Sequence, residues 1–241
     1  MTETKPTRAT LILDLKAVST PERVIGAARF FKTGPGEYGE GDVFLGVTVP
    51  DLRRIAKQYY ALDLNDLQRL LTAKEHEVRT AALLILVAQY ERGDAALQNA
   101  IFNLYLSNTQ HINNWDLVDC SCREIVGAHL RTGSRKLLTR LAKSKSIWER
   151  RIAMVSTMAL VRDGDLDDAL LVAELLLDDP HDLIHKAIGW VLRVLGDVDR
   201  AALLRFLEKH YDRIPRTALR YAIEHFSPVE RRNLLVGKFS V

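Results

Sequence analysis

Three short segments of the sequence each combine a tryptophan with a charged side chain at helical spacing. The pairs are Trp115 with Asp119, Trp148 with Arg151, and Trp190 with Lys186. On an α-helix, residues three or four positions apart lie within about 60° of each other, so each segment presents an indole and a charge to one side. Such a surface suits a cationic or π-rich ligand near a phosphate. A lone tryptophan is usually a core residue, but three similar pairs favour a ligand surface.

Helical repeats would bring these segments together. Hydrophobic periodicity and capping residues predict helices through most of the chain, with short linkers and almost no alternating β-branched runs, so the fold class is all-α. A cation followed by small and apolar residues recurs at Arg79, Arg151, Lys186 and Arg216, and Asp119 takes the cation's place in its own repeat. Intervals of about 30 to 45 residues are typical of HEAT-like α-solenoids, which are curved. We therefore expect a concave basic groove lined by these five residues.

A single acid in such a groove suggests catalysis. Cations interleaved with aromatic rings are typical of a site for a nucleic-acid backbone, and Arg193 extends the predicted set. A carboxylate there repels phosphate, but its charge could stabilise a cationic transition state, such as the oxocarbenium ion formed when a glycosidic bond breaks. Alternatively, Asp119 has a structural role and pairs with Arg151 or Lys186.

Composition limits the class of protein. The chain has 241 residues, of which 47% are hydrophobic and 27% charged, and a net charge of +3, which permits a polyanionic partner without requiring one. No linker divides it, so we expect one domain over residues 1–241, with residues 1–8 frayed. The early apolar run Ala9–Leu15 is too short for a membrane or secretory segment. Cys120 and Cys122 point to different sides of a helix, so we expect no local disulfide and a reducing cytoplasm.

Other polar clusters predict no cofactor or metal. His181 and His185 have the spacing of two metal ligands but no third ligand nearby, and His76-Glu77 lacks the second histidine of a zinc-protease helix. We interpret these histidines and Glu77 as helix-end or surface residues. The Gly-rich segment 33–42 lacks the Lys-Ser/Thr that follows a phosphate-binding loop, so we expect an ordinary loop.

Four motifs, in order along the chain, resemble the AlkD-type DNA alkylation-repair glycosylases. The motifs are Phe44–Val47 followed by Pro50, Trp115–Asp119, Ile147–Arg151 and Lys186–Arg193. The resemblance implies a monomeric HEAT-like solenoid that acts on duplex DNA in base excision repair and associates with the nucleoid when bound. It implies hydrolysis of the N-glycosidic bond of cationic alkylated purines, chiefly N3-methyladenine and N7-methylguanine, without full base flipping. Because no base must enter a pocket, bulky adducts would be tolerated.

The resemblance also implies roles for individual residues. Asp119 matches the catalytic carboxylate, with Asp116 as the second candidate, and Trp115 and Trp190 match aromatic residues that pack against the lesion's deoxyribose. Arg151 matches a phosphate contact. Phe30 lies where the family often has a tyrosine near DNA. The basic groove adds further predicted DNA contacts, namely Lys186, Arg193, Trp148 and Arg79.

A second hypothesis places the chain in a different functional class. HEAT-like solenoids also serve as scaffolds that bind nucleic acids or proteins without chemistry. A scaffold has no need of Trp115, Asp119, Arg151 and Trp190 together. Release of a free base from methylated duplex DNA separates the two readings.

Overall fold

The computed structural model describes residues 6–239, which are predominantly α-helical. Within that range the β-structure amounts to an isolated bridge between Val43 and Glu75. The predicted all-α class is therefore confirmed. The helices group into two compact units, Met1–Ser121 (unit 1) and Cys122–Val241 (unit 2). A single domain over the whole chain stays a prediction.

Unit 1 is built on one long buried helix. Its helices are α1 (Arg8–Ala17), α2 (Pro21–Phe30), α3 (Val49–Ala56), α4 (Leu64–Leu71), α5 (His76–Arg92), α6 (Ala95–Ser107) and α7 (Trp115–Asp119), with 3-10 turns at Lys57–Tyr59 and Thr109–His111. Helix α5 packs against α3, α4, α6 and α7. Side chains of Thr48, Asp63 and Asp94 accept bonds from backbone amides at the starts of α3, α4 and α6, which stabilises these helix ends.

The predicted fraying does not extend to Thr7 and Arg8. Residues 1–5 of that stretch lie outside the described residues. Thr7 forms a capping box with Thr10, and Arg8 is the first residue of α1. The two hydroxyls satisfy amides that the helix leaves without partners, so these residues are ordered.

Unit 2 is organised around α12. It begins with a π-helical turn at Arg123–Gly127, followed by α8 (Lys136–Ala142), α9 (Ile147–Ser156), α10 (Met158–Arg162), α11 (Asp167–Leu176), α12 (Asp182–Val198), α13 (Arg200–Lys209), α14 (Arg216–Ala222) and α15 (Pro228–Leu235). Helix α12 packs against α9, α10, α11, α13 and α14. At Gly189 a Cβ would lie 2.4 Å from the Cβ of Tyr221 on α14. The glycine of the Lys186–Arg193 motif thus permits close helix crossing.

Two helices that the sequence predicts as continuous are broken. The predicted helix from Asn114 to Leu130 stops at Asp119, and the one from Ile147 to Val161 breaks at Thr157. Ser121 Oγ donates to Leu117 O at 2.6 Å, and Thr157 Oγ1 donates to Met154 O at 2.7 Å. Such side-chain bonds to the preceding turn compete with the helical ladder. Hydrophobic periodicity does not register them, so the predicted boundaries were wrong.

None of the helices within residues 6–239 has the length and apolar character needed to cross a membrane.

Gly46 offers a test of how tightly unit 1 is packed. Its φ is +76°, and an added Cβ would lie 2.7 Å from Val24 N at the start of α2. Gly164 has a similar φ of +84°, but a Cβ added there would meet nothing within 4 Å, so it is a matched control. Both alanine variants should lose about 1–2 kcal/mol from the left-handed backbone. Gly46→Ala should lose roughly 1–3 kcal/mol more through overpacking. Thermal unfolding measures this, and equal losses would contradict close packing.

Candidate functional site

A cleft of about 630 Å³ in unit 1 contains three of the residues predicted for the site. Asp119, Trp115 and Phe30 all line it, together with the rings of Phe31 and Phe44. Phe30 is 64% exposed, whereas Trp115 and Asp119 are half-buried. The cleft therefore places a carboxylate beside aromatic rings that solvent or a ligand can reach.

The rings form one continuous cluster. The Phe31 ring stacks on Trp115 at 5.4 Å between centroids and on Phe44 at 5.0 Å. Phe30 meets Trp115 edge-on at 5.8 Å. These offset and edge-on arrangements are the favourable ones for aromatic pairs. They hold the Trp115 indole in one orientation at the cleft.

Glu77 fixes the Phe44–Val47 segment, part of which lines the cleft. Its carboxylate, on the first turn of α5, accepts hydrogen bonds from the amides of Leu45, Gly46 and Val47 at 2.8, 2.7 and 3.2 Å. The residue is only 5% exposed. Glu77 lies at a helix end, one of the two placements that the sequence suggested, but it is not a surface residue, because the three amides supply the partners that let a carboxylate be buried. The Phe44–Val47 motif is thereby tied to α5.

A buried ionic cluster lies beside the aromatic rings. His76 Nε2 is 2.7 Å from Asp116 Oδ2, and His76 Nδ1 is 3.3 Å from Asp42 Oδ2. Asp42 also accepts from Arg79 Nη2 at 2.6 Å and from Asn114 Nδ2 at 3.0 Å. Because ionised carboxylates only accept hydrogen bonds, both ring nitrogens must donate, which requires an imidazolium. We call Asp42, His76, Arg79, Asn114 and Asp116 the ionic cluster.

The pKa values of the ionic cluster agree with its geometry. Burial alone lowers the pKa of His76, but the hydrogen bonds and charges of Asp116 and Asp42 outweigh it and raise the pKa to about 9. Burial alone raises the pKa of Asp42, but hydrogen bonds from His76 and Asn114 and the charges of Arg79 and His76 outweigh it and lower the pKa. His76 is therefore charged and Asp42 ionised at neutral pH.

Asp116 shares the cleft with Asp119 but has a different environment. Its Oδ2 binds His76, and its Oδ1 is buried and accepts no hydrogen bond from the described residues. Asp116 remains the second candidate carboxylate, since the Trp115–Asp119 motif favours the later acid.

Unit 2 holds five more of the predicted residues, on α9 and α12. Trp148 and Arg151 are 8% and 5% exposed, and Arg151 Nη1 donates to Leu183 O. Trp190 is half-buried. Lys186 pairs with Asp182 at 2.9 Å, and Arg193 pairs with Glu224. The acids in both pairs are more than half exposed, so these ion pairs are weak and can exchange for a phosphate.

The sequence matches the family model described as DNA alkylation repair enzyme over residues 11–226. The chain belongs to this family. Its fold is similar to a solved structure titled "Predicted DNA alkylation repair enzyme from Enterococcus faecalis", with a TM-score of 0.67 and 18% identity over 87% of this chain and 97% of that one. Comparison with curated proteins gives no match. Family membership indicates a role in DNA repair, and the shared fold supports an α-solenoid of helical repeats.

Within this family fold, Arg79 is not placed as the sequence predicted. It is 5% exposed, and Nη1 donates to the carbonyls of Ala73 and Lys74 at 3.0 and 2.9 Å, while Nη2 binds Asp42. A guanidinium held by these acceptors stabilises the segment before α5. We therefore do not retain Arg79 as a phosphate contact.

The described part of the chain has no cluster of metal ligands. Residues 6–239 contain no group of three or more His, Cys, Asp or Glu side chains placed to hold a metal ion. His181 and His185 are instead used locally. His181 Nδ1 accepts from Leu183 N at 3.1 Å at the start of α12, and His185 Nε2 bonds to Asp179 O.

Sequence reasoning missed four residues that shape the cleft. Asp42, Phe44, His76 and Glu77 come from a loop, a recognised motif and the start of α5. Phe44 had a signal, since it begins one of the family motifs. Asp42 and His76 are 34 positions apart, so no local sequence pattern predicts that they are in contact. His76 lies at a helix end as predicted, but at 2% exposure it is not on the surface.

The ionic cluster predicts an alkaline loss of stability. The pKa of His76 is raised from 6.5 to about 9 in the folded chain, so its contribution is complete below pH 6.5 and is lost as the pH rises to about 9. Over this interval the free energy of unfolding should fall by on the order of 3 kcal/mol. Denaturant unfolding at fixed pH measures the change. In His76→Gln this pH dependence should be absent.

The matched control for this pH series is His225→Gln. His225 forms an exposed pair with Asp197 at 2.8 Å, so its replacement should leave the alkaline loss intact. If His76→Gln and the wild type lost stability in parallel from pH 6.5 to 9, the buried imidazolium would not be its source.

Proposed function

We propose that this protein is a monofunctional DNA glycosylase that hydrolyses the N-glycosidic bond of cationic alkylated purines in duplex DNA. N3-methyladenine and N7-methylguanine are the proposed lesions, and base excision repair is the proposed process. The observation that carries the proposal is the placement of Asp119 and Trp115 in one aromatic cleft. Membership of a DNA alkylation repair family supports it.

The chemistry of these lesions explains why a carboxylate suffices. Alkylation at N3 or N7 gives the base a positive charge, so when the C1′–N bond breaks its electron pair neutralises the base. The base leaves without a general acid. Positive charge develops on the deoxyribose, where Asp119 supplies a counter-charge and the face of Trp115 attracts the cation. Water then bonds to C1′ and gives up a proton, which Asp119 accepts and passes to solvent.

The cations of unit 2 provide the phosphate contacts in this proposal. The side chains of Lys186 and Arg193 are 40% and 20% exposed and pair with exposed acids, so these two residues are the main proposed phosphate contacts. Arg151 is only 5% exposed and donates to Leu183 O, so, like Arg79, it is not retained among the phosphate contacts. Trp190 is half-buried on the same helix as Lys186, and we assign it to packing against deoxyribose by the family resemblance. Excision without full base flipping rests on that resemblance as well.

A non-catalytic nucleic-acid-binding protein of the same fold is the second candidate. The surface cations of unit 2 would serve such a protein equally well. A binding protein, however, gains nothing from carboxylates in a cleft that faces DNA, because they repel phosphate. The cleft residues Asp116 and Asp119 therefore favour the glycosylase.

Replacing Asp119 tests the proposed chemistry. Asp119→Asn keeps the shape of the side chain and removes its charge, so excision should fall by roughly 10²–10³-fold while DNA affinity is kept. The measurement is release of free 7-methylguanine from methylated duplex DNA under single-turnover conditions. Asp197→Asn, an exposed aspartate in unit 2, is the control and should excise at the wild-type rate. If Asp119→Asn excised at the normal rate, Asp119 would not be the catalytic carboxylate. If the wild type released no base, the non-catalytic nucleic-acid-binding protein would be the remaining candidate.

Salt dependence tests the proposed phosphate contacts. Lys186→Ala and Arg193→Ala should each weaken binding to undamaged duplex DNA and reduce the slope of log affinity against log salt by about 1, because one fewer counterion is released. Lys209→Ala is the control, since Lys209 forms a similar surface pair with Glu174 but is not in the proposed set. An unchanged slope in either test variant would remove that residue from the backbone contacts.

A further inference from the structure

We propose that His76 is a positioning residue for the cleft, in which its doubly hydrogen-bonded ring fixes α7 and thereby the orientation of Trp115 and Asp119. The effect on excision rests on the proposed glycosylase function, whereas the effect on Trp115 does not. His76 has no direct role in the chemistry here, since it acts through Asp116 and the aromatic rings.

Asp116 connects His76 directly to the site residues of α7. Asp116 immediately follows Trp115 and precedes Asp119 by three residues, so all three lie on this five-residue helix. His76 Nε2 binds Asp116 Oδ2 at 2.7 Å. A short helix has few hydrogen bonds of its own, so a charged bond at its first turn contributes strongly to its orientation.

Asp42 provides a parallel connection to the same helix. Asp42 binds His76 Nδ1 and also accepts from Nδ2 of Asn114, while Asn114 Oδ1 accepts from the amide of Trp115 at 2.8 Å. Asn114 is fully buried. The imidazolium is thus connected to α7 through both neighbours of Trp115. It binds Asp116 directly, and it is linked to Asn114 through Asp42.

Ring packing adds a third connection between His76 and Trp115. The His76 ring lies 4.7 Å from the Phe44 ring and 4.9 Å from the Phe31 ring, and Phe31 stacks on Trp115. A cationic ring over aromatic faces is attracted by their negative charge density. Loss of the proton on His76 weakens this attraction and one of the two carboxylate bonds together.

Charge balance explains why the proton matters. With His76 charged, the ionic cluster contains two carboxylates and two cations, and the side chains of Asp42, His76 and Arg79 are at most 6% exposed. With a neutral imidazole, the ionic cluster has two carboxylates and only the Arg79 cation, which is unfavourable for groups with so little exposure. The charged or titratable groups around His76 are Asp42 from the loop, Arg79 and Glu77 from α5, Arg53 from α3, and Asp116, Asp119 and Cys120 at α7. Of these neighbours, only the thiol of Cys120 belongs to a class that ordinarily titrates between pH 6.5 and 9.

Nuclear magnetic resonance of the intact chain tests the positioning without DNA. The Trp115 indole N–H signal, assigned by its loss in Trp115→Phe, should shift with a midpoint near pH 9, together with the ring signals of His76. Cys120→Ser should keep that midpoint, which separates the imidazole from the thiol. This measurement uses the wild-type fold and needs no destabilised variant. A Trp115 signal that stays constant while His76 loses its proton would overturn the proposal.

Excision kinetics provide a second measurement. His76→Gln keeps a hydrogen-bond donor without the charge, so the single-turnover rate at saturating enzyme should fall roughly 10-fold or more through misplacement of the cleft. Affinity for undamaged duplex DNA should stay within about twofold, because no phosphate contact is lost. The wild-type rate should decline near pH 9, and His76→Gln should lack this decline. His225→Gln should behave as wild type.

The two measurements distinguish failure of the positioning role from failure of the glycosylase function. If the wild type releases no base but the Trp115 signal follows His76, the glycosylase function fails and the positioning role stands. If the wild type excises and His76→Gln excises at the same rate and with the same pH profile, the positioning role fails and the function stands.

Discussion

One buried imidazolium holds the candidate site of unit 1 together. His76 bridges Asp42 and Asp116, which belong to segments more than 70 positions apart, and its own helix supplies Arg79 to the same cluster. Buried charges are unfavourable unless paired and hydrogen-bonded, and this cluster meets the condition by matching two cations to two carboxylates. The donors to the two carboxylates are ring, guanidinium and amide N–H groups, whose directions are fixed by planar side chains. The hydrogen bonds therefore specify one arrangement of the cluster.

A second buried carboxylate is stabilised in a different way. Glu77 accepts hydrogen bonds from three backbone amides, those of Leu45, Gly46 and Val47. Residues 45–47 belong to no helix or strand, so without Glu77 these amides would lack the backbone acceptors that regular secondary structure supplies. Adjacent residues on α5 thus fix two segments that line the cleft. His76 binds a side chain of α7, and Glu77 binds the backbone of the Phe44–Val47 motif.

In the proposed function, the cleft stabilises a cationic transition state. Its carboxylates lie among groups that are already ordered, so little reorganisation is needed when charge develops. Cations in unit 2 are of the kind that bind phosphate, and Lys186 and Arg193 are weakly paired on the surface. In the proposed function, unit 1 provides charge stabilisation and unit 2 provides backbone contacts.

The sequence by itself determined the all-α class, most helix positions and the candidate residues Trp115, Asp119 and Phe30, because periodicity, capping and short motifs are local signals. It did not determine where α7 ends, since Ser121 breaks that helix through a side-chain bond that hydrophobic spacing does not reveal. Tertiary structure alone decided that Arg79 is buried, that Glu77 binds a distant loop and that His76 carries a charge. Each of these depends on partners brought together across 30 or more positions, and pairing of buried polar groups is a property of the folded chain and not of any one segment.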